Sequence, residues 1–568
     1  MGSAAGGAGK KQRGGAFAAL SLRPAPKGRD IDPAALEQIV GLLGSEPRRR
    51  DLLIEHLHRI QDRYGHISAP HLAALAYELR LTFAEVYEVA TFYQHFDFVT
   101  DGETPPPPIT IRVCESISCH LARSETLIGE LQAHFGDSVR VVAAPCIGRC
   151  DAAPAAIVGQ HSLGNVTARA AIDAVQSQQT EPRIPAYLGY AGYREQGGYQ
   201  TYQACVGGRR TLDDVMAAVD ASGLRGLGGA GFPASRKWQF VRKEPTPRIA
   251  VLNADEGEPG TFKDRYIFET DPHRVLEGLL IAAWVVEANA IYIYLRDEYA
   301  AARVILQREL AELQANPPGP VPPIHLRRGA GAYICGEETA LIESLEGKRG
   351  EPRLRPPFPA QWGAFGRPTL VHNVETAYWL RSILEDGAER FASRGVNGRK
   401  GMRLFSVSGR VRKPGVYAAP NGVTARQLIE DHAGGMLPGH QLYAYLPGGA
   451  SGGILPASLA DEPLDFDVLA KYGCFIGSAA IVVLSDQDSA KDAALNLMQF
   501  FAHESCGKCT PCRAGTAKSV QIMQAGRWDL ALLSDLGTAM ADASICGLGQ
   551  AAPNPVRCVQ QFFPEELS

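Results

Sequence analysis

A chain of 568 residues should hold several domains, because single cores stop growing well below that size. Its composition, 45% hydrophobic and 21% charged, is that of a globular protein, and a net charge of −4 offers no footprint for nucleic acid or an anionic membrane. No apolar run approaches the roughly 20 residues of a bilayer span; the most apolar stretch, Leu279 to Val286, lies in a helical pattern closed by charged residues.

Residues 1–29 are rich in Gly, Ala, Lys and Arg and read as a disordered tail. They lack the apolar centre of a signal peptide, which predicts a cytoplasmic protein. In a reducing compartment, 12 cysteines point to metal or redox work rather than to disulfides.

Residues 30–104 read as a small helical bundle. Asp32-Pro33 opens a helix with Leu36, Ile39, Val40 and Leu43 on one face. Helices over Arg48–Tyr64 and Ala69–Leu79 follow, and Thr82 with Glu85 forms a capping box for a helix to about Tyr93. The apolar stripes are core rather than cofactor pocket.

Pro105–Pro108 is a stiff linker. In residues 109–180 a strand (Ile109–Val113) delivers Cys114, and a helix (Arg123–Phe135) leads to a strand (Val139–Ala143) that delivers Cys146. This is an α/β unit of thioredoxin-like size. The glycine- and tyrosine-rich stretch from Ser177 to Gln200 marks a second boundary.

Residues 200–395 alternate strand and helix: Ile249–Leu252, Pro272–Glu287, Ala290–Leu295, a helix to Gln314, then Ile324–Arg328. That order predicts a parallel or mixed sheet covered by helices. Short strands and turns over 400–485, with a glycine-rich turn at Gly448–Gly453, suggest a β-grasp-like module. Helices dominate 488–568. The fold class is thus multidomain α/β and α+β.

The chemistry lies in two cysteine sets and three central motifs. Cys506, Cys509 and Cys512 form C-x2-C-x2-C, which wraps three thiolates around one cluster face, and Cys546 is the remote fourth ligand. Four cysteines also satisfy structural zinc, but two such short gaps in a row are commoner around [4Fe–4S]. Cys114, Cys119, Cys146 and Cys150, a C-x4-C followed by C-x3-C, are less specific alone, with zinc or buried thiols as alternatives. The run Gly226-Leu-Gly-Gly-Ala-Gly231-Phe232 could bring backbone N–H groups against phosphates or a flat ring, with Lys237 as a cation and Phe232 and Phe240 as aromatic faces. Asn253-Ala-Asp-Glu-Gly-Glu258 follows a strand end, where cofactor contacts gather. In Gly329–Glu338, Glu337 and Glu338 start a helix, and complementing its dipole is the plainer reading.

Together these motifs resemble, in order, the flavin subunit of respiratory complex I and its soluble relatives. Arg353-Leu-Arg-Pro-Pro-Phe358, Asn373-Val-Glu-Thr376, Glu504–Arg513 and Ile545–Gly549 complete the pattern. Ala90-Thr-Phe-Tyr93 and the first cysteine set resemble that complex's thioredoxin-like [2Fe–2S] subunit, so the likeness covers about residues 30–568 as a fusion.

The resemblance implies a Rossmann-like FMN domain over 200–395, [2Fe–2S] on Cys114, Cys119, Cys146 and Cys150, and [4Fe–4S] on Cys506, Cys509, Cys512 and Cys546. FMN would contact Gly226, Gly228, Lys237, Asn253, Asp255, Glu256, Gly336 and Asn373, with Gly229, Gly231, Tyr333, Glu337 and Arg355 also lining the cofactor site. NAD(H) would set its adenine among Phe232, Phe240 and Phe358, with Glu258 and Glu338 as the catalytic pair near nicotinamide and ribose. A carboxylate at the ribose favours NAD over NADP. Leu227 and His372 depart from the Arg and Asn common in complex I, and Cys205, Cys335, Cys474 and Cys558 read as buried thiols.

The fusion and the Gly448–Pro456 segment look most like the β subunit of soluble NAD-dependent formate dehydrogenases, whose partner is a molybdopterin chain with molybdenum or tungsten. The diaphorase chain of NAD-reducing hydrogenases is the alternative, and a complex I chain the third. A metal-binding scaffold that has lost its flavin is the reading from another class.

Overall fold

The structure, a computed structural model, describes residues 29–567. Apart from Arg29, the expected N-terminal tail lies outside them.

The N-terminal bundle comprises α1 (Pro33–Leu43), α2 (Leu53–Tyr64), α3 (Ala69–Leu79) and α4 (Phe83–Ala90). Asp32 caps α1, and the Thr82–Glu85 capping box starts α4. On α1 the buried stripe is Ala35, Ile39 and Leu43, and Val40 faces solvent. Ile39 and Leu43 are as expected, Ala35 joins them, and Leu36 packs against the core half-buried. α4 stops at Ala90 rather than near Tyr93, whose buried hydroxyl donates to Ser344 Oγ across the domain face.

The thioredoxin-like module orders its strands β2-β1-β3-β4: β1 (Thr110–Cys114) and β2 (Arg140–Ala144) run parallel, and β3 (Ala156–Val158) and β4 (His161–Leu163) complete the sheet antiparallel. α5 (Ser124–Phe135) and α6 (Ala168–Gln176) cover it. The module keeps a small apolar core of its own. The N-terminal bundle instead shares one continuous core with everything downstream of residue 190.

The tyrosine-rich stretch, expected as a boundary, lies where the small core of the module ends near Val175 and the main core resumes at Leu188 and Tyr193. Tyr193, Tyr199 and Tyr202 are buried, and Glu277 accepts from the Tyr193 hydroxyl and from the backbone N–H of Tyr199 and Tyr202. Each ring finds a polar partner for its hydroxyl, which lets a polar-looking segment sit in a core.

Next come α7 (Leu212–Ser222), α8 (Ala234–Lys243) and the sheet β8-β5-β6-β7, all parallel: β5 (Arg248–Ala254), β6 (Ala288–Leu295), β7 (Ile324–Arg328) and β8 (Thr369–Asn373). Helices α9 (Lys263–Thr270), α10 (Pro272–Val285), α11 (Ala300–Ala315), α12 (Glu338–Leu345) and α13 (Val374–Asp386) surround it. Buried on both faces, β5 and the later part of β6 read as near-continuous apolar runs, whereas the edge strand β7 carries an exposed His325 and two arginines.

A mixed sheet of order β10-β9-β13-β11-β12 follows, from β9 (Met402–Gly409), β10 (Gly415–Pro420), β11 (Leu442–Leu446), β12 (Leu455–Pro456) and β13 (Ala480–Ser485). The chain ends in α14 (Ala490–His503), α15 (Thr510–Gln524), α16 (Leu530–Ala543), α17 (Gly547–Ala551) and α18 (Asn554–Phe562). Among the described residues no helix is long and apolar enough to cross a membrane.

Candidate functional site

The parallel sheet ends its strands at one edge, and the central motifs meet there. Asn253 and Asn373 are register partners at the carboxyl ends of β5 and β8. Asn253 donates to the Gly336 carbonyl at 2.8 Å, and Asn373 caps α13 through Glu375 N–H while donating to Asp264 at 2.7 Å. The Gly226–Phe232 loop lies beside them: a Cβ on Gly228 would come within 3.0 Å of the Asn373 Cβ. The loop closes on itself by Gly226 N–H to Phe232 C=O and Gly231 N–H to Gly226 C=O. Gly229 (φ +134°) and Gly231 (φ +64°) hold backbone that a side chain would strain, and a Cβ on Gly229 would meet no atom within 4 Å. This open, side-chain-free backbone beside two strand ends fits a flat phosphate-bearing ring.

From α8, Lys237 reaches Glu338 Oε2 at 3.0 Å, and Arg355 approaches the same carboxylate at 3.4 Å. Phe232 and Phe240 are half-exposed with ring centres 6.0 Å apart, and Phe358 is exposed as well. Glu337 caps α12, accepting from Thr339 and Ala340 N–H, so the plainer capping role holds for one of its oxygens.

Glu258 accepts from the Tyr333 hydroxyl and, at 2.7 Å, from Ser451 N–H. Burial raises its pKa, and both hydrogen bonds oppose the rise. Asp255 is pushed well above the usual carboxylate range by burial, with Arg296 pulling the other way. Glu256 departs from expectation. Its two oxygens cap α9 through Asp264 and Arg265 N–H and take the Tyr299 hydroxyl, and burial followed by Asp264 lifts it to about 7. Its side chain thus holds the helix next to the site, and its carbonyl accepts from Arg296, which leaves only its N–H to face a cofactor.

The two departures are buried. Leu227 sends its N–H to Thr376 Oγ1. His372 accepts the Trp238 indole N–H at Nε2, 2.5 Å away; burial, and then Lys237, lower its pKa to about 3. Because indole is a donor only, His372 is neutral with its proton on Nδ1.

All four thiols of the first cysteine set are buried. Cys146 and Cys150 Sγ lie 3.4 Å apart, and Cys114 is hydrogen-bonded to Cys119 and Cys146. Donation by Cys114 and Cys150 holds Cys146 well below its usual range. Arg296 fixes the Cys146 carbonyl (2.6 Å) and Arg265 that of Gly148 (2.8 Å), while Phe262 packs against Cys146 and Cys150. The second set is half-buried at Cys506 and Cys509 and buried at Cys512 and Cys546. Cys509 and Cys546 stand at the N-caps of α15 and α17, and the Leu548 and Gly549 N–H groups bond the Cys546 sulfur. Burial lifts Cys512 to about 11 and Cys546 to about 12. A Cβ on Gly549 would stand 2.8 Å from the Cys512 Cβ, so its absence lets α17 close on α15. Among the described residues no three His, Cys, Asp or Glu side chains close around a point as they would around one ion. Sulfur contacts bring the first four thiols together, and Cys506, Cys509, Cys512 and Cys546 lie within electrostatic reach of one another, so each set fits the four thiolates of a cluster.

Four contributors were given no role of their own by the sequence, although two of them lie within its motifs. Arg265 and Arg296 have no local signal at all. Ser451 lies inside the glycine turn, and Glu504 lies two residues before Cys506, where it accepts from Tyr333 N–H at 2.9 Å and ties the second set to the central motif.

The chain matches the Nuo51 FMN-binding domain family over residues 219–381 and the thioredoxin-like [2Fe–2S] ferredoxin family over 39–179. It also matches the NADH-ubiquinone oxidoreductase-F iron–sulfur binding region over 492–568 and the SLBB domain over 404–455. It is 43% identical to an NADH-quinone oxidoreductase chain of Rhizobium meliloti over 390 residues, 66% of this chain and 92% of that protein. It is 42% identical to the mitochondrial NADH-ubiquinone oxidoreductase 51 kDa subunit of Neurospora crassa over 376 residues, 62% of this chain and 76% of that one. The crystal structure of an NAD+-reducing [NiFe]-hydrogenase in the air-oxidised state superposes with a TM-score of 0.79 at 32% identity, covering 92% of this chain and 94% of that one.

Proposed function

We propose, from the premise that this chain belongs to the NADH-quinone oxidoreductase-F family, that it exchanges hydride with NAD(H) and single electrons with a formate-oxidising partner. It is an NAD(H)-dependent oxidoreductase component of a larger complex, with FMN, [2Fe–2S] and [4Fe–4S] as its cofactors. FMN supplies the conversion between two-electron and one-electron transfer, and the clusters supply the one-electron path.

The protein's part is positioning and exclusion. The Gly226–Gly231 backbone, Asn253 and Asn373 would hold the flavin, and Phe232, Phe240 and Phe358 the adenine. Glu258, fixed by Tyr333 and Ser451, would meet the nicotinamide side, and Glu338 the ribose, where it repels a 2′-phosphate. The two cysteine sets, Cys114, Cys119, Cys146, Cys150 and Cys506, Cys509, Cys512, Cys546, would be the cluster ligands. One observation carries the reading: both sets flank a single loop. Cys146 and Cys150 pack on Phe262, while Tyr333, bonded to Glu258, stands within electrostatic range of Cys546.

For the partner, we favour a molybdopterin chain with molybdenum or tungsten in the cytoplasm, on the likeness of the fusion and of Gly448–Pro456 to formate dehydrogenase β subunits. A hydrogenase partner is the second reading, favoured by the near-complete overlay with the NAD+-reducing hydrogenase chain. Anaerobic purification with flavin, iron and NADH:ferricyanide measurements tests the diaphorase; absence of both flavin and iron would overturn it in favour of a bare scaffold. NAD+ reduction by the co-purified complex with formate, and none with hydrogen, is the expected discriminating result.

A further inference from the structure

The glycine turn at Gly448–Gly453 has Glu258 against one side and two thiols against the other. Ser451 N–H donates to Glu258 Oε1 at 2.7 Å. The Ser451 carbonyl accepts from Asn554 Nδ2 at 3.0 Å, and the Gly452 carbonyl accepts from Phe475 N–H at 3.2 Å. Cys474 precedes Phe475, and Cys558 lies one helical turn after Asn554 on α18. Their sulfurs are 3.4 Å apart, although the residues are 84 positions apart and belong to different modules. Gly453 covers them: at φ +87°, a Cβ there would stand 2.7 Å and 2.9 Å from the two sulfurs. Neither cysteine belongs to a cluster set.

We propose that Cys474 and Cys558 are a dithiol–disulfide couple whose oxidation by peroxide moves the Ser451 peptide and weakens its hold on Glu258. The Cys558 thiolate attacks one peroxide oxygen and breaks the O–O bond, leaving a sulfenic acid and hydroxide. The Cys474 sulfur then displaces the sulfenic hydroxyl as the S–S bond forms. Two thiols and one hydrogen peroxide give one disulfide and two waters, the two electrons passing from sulfur to peroxide. Cys558 is the better nucleophile: donation from the Cys474 thiol, and secondarily from Ile454 N–H, lowers its pKa against the opposing effect of burial. To bond, the sulfurs must approach to about 2.05 Å. The elements that approach are the two that hold the consecutive carbonyls of Ser451 and Gly452, directly after the Ser451 N–H that Glu258 accepts. The link to the nucleotide rests on the role of Glu258 given above; the disulfide does not.

The test treats the anaerobically purified full-length holoprotein with graded hydrogen peroxide, quenches in acid, alkylates and digests. A Cys474–Cys558 cross-linked peptide should accumulate over minutes to hours, because the pair is buried. KM for NADH with ferricyanide should rise at least threefold with little change in kcat, and dithiothreitol should restore it. Cys558→Ser and Cys474→Ala should each abolish both effects. If both thiols still alkylate fully, the couple is refuted. If the peptide forms and KM stays put, or if KM rises equally in the variants, the coupling to Glu258 is refuted. A protein with no NADH activity before any peroxide would overturn the diaphorase reading instead, and the peptide would still decide the disulfide.

Discussion

The Lys237 ammonium lies 3.0 Å from the Glu338 carboxylate. The cation expected at the flavin phosphate and the anion expected at the nucleotide ribose are therefore one ion pair, and Arg355 leans on the same carboxylate from 3.4 Å. Neutralising Glu338 changes more than one contact. In Glu338→Gln, two cations lose their counter-charge and face the nucleotide, so the ratio of kcat/KM for NADPH to that for NADH should rise about tenfold, or roughly 1.4 kcal/mol. Steady-state ferricyanide assays with both nucleotides check it, and an unchanged ratio removes Glu338 from the ribose.

Acid should strike at two buried histidines. Burial lowers His58, whose ring bonds the Gly329 carbonyl at 2.8 Å, and His372 to about 3. The unfolded chain takes up those protons near pH 6.5, well before the fold does. Stability is therefore full above pH 6.5 and falls as pH drops toward 3, by about 1.4 kcal/mol per pH unit for each histidine. His372→Asn, whose amide oxygen can still accept from Trp238, should flatten the fall by one histidine's share. Melting temperatures between pH 7.5 and 5 report it, and parallel curves for the two proteins would disprove it.

Gly549→Ala should empty the C-terminal cluster and leave the flavin in place. The added methyl would stand 2.8 Å from the Cys512 Cβ, too close for α17 to rest on α15. Iron per chain should fall by about the four atoms of one [4Fe–4S] centre, with FMN content unchanged. Iron and flavin assays on one preparation decide this, and a full iron complement would show that α17 can shift aside.

Arg403 is 1% exposed, and none of its guanidinium nitrogens has a hydrogen-bond partner. It stacks on Phe466 at 4.3 Å, and burial lowers its pKa against the pull of Glu375 and Asp465. A buried charge so poorly paired adds little to stability. Arg403→Met should hold or raise the melting temperature; a loss of more than about 2 kcal/mol would show that its charge balances Glu375 after all.

Most of the architecture was legible because its signals are local. Apolar runs such as Ile249–Leu252 and capped helices such as Ala69–Leu79 fall where their patterns put them. β3 and β4 were not legible: at three residues each they carry no periodicity, and only the pairing of β3 with β1 and of β4 with β3 makes them strands. Composition did not disclose the burial of Tyr193, Tyr199 and Tyr202, because a buried tyrosine looks polar until its hydroxyl's partner is known. At the site, motif residues converged from five separate segments, since strand ends and glycine turns are specified by short patterns. The use of Glu256 as a helix cap was invisible, because a carboxylate's partners eight and nine residues on depend on where the chain folds back.

The thioredoxin-like module is held to the rest of the molecule by contacts that owe nothing to the connecting segment. Arg265 and Arg296 grip its cysteine loop, Ser118 meets Ser408 at 3.0 Å, Asn496 bonds the Glu115 carbonyl at 2.9 Å, and Arg303 meets Gln160. Two separate polypeptides bearing these faces would dock the same way. Joining them in one chain sets their stoichiometry at one to one and raises their effective concentration, so a nick between the modules should leave them assembled.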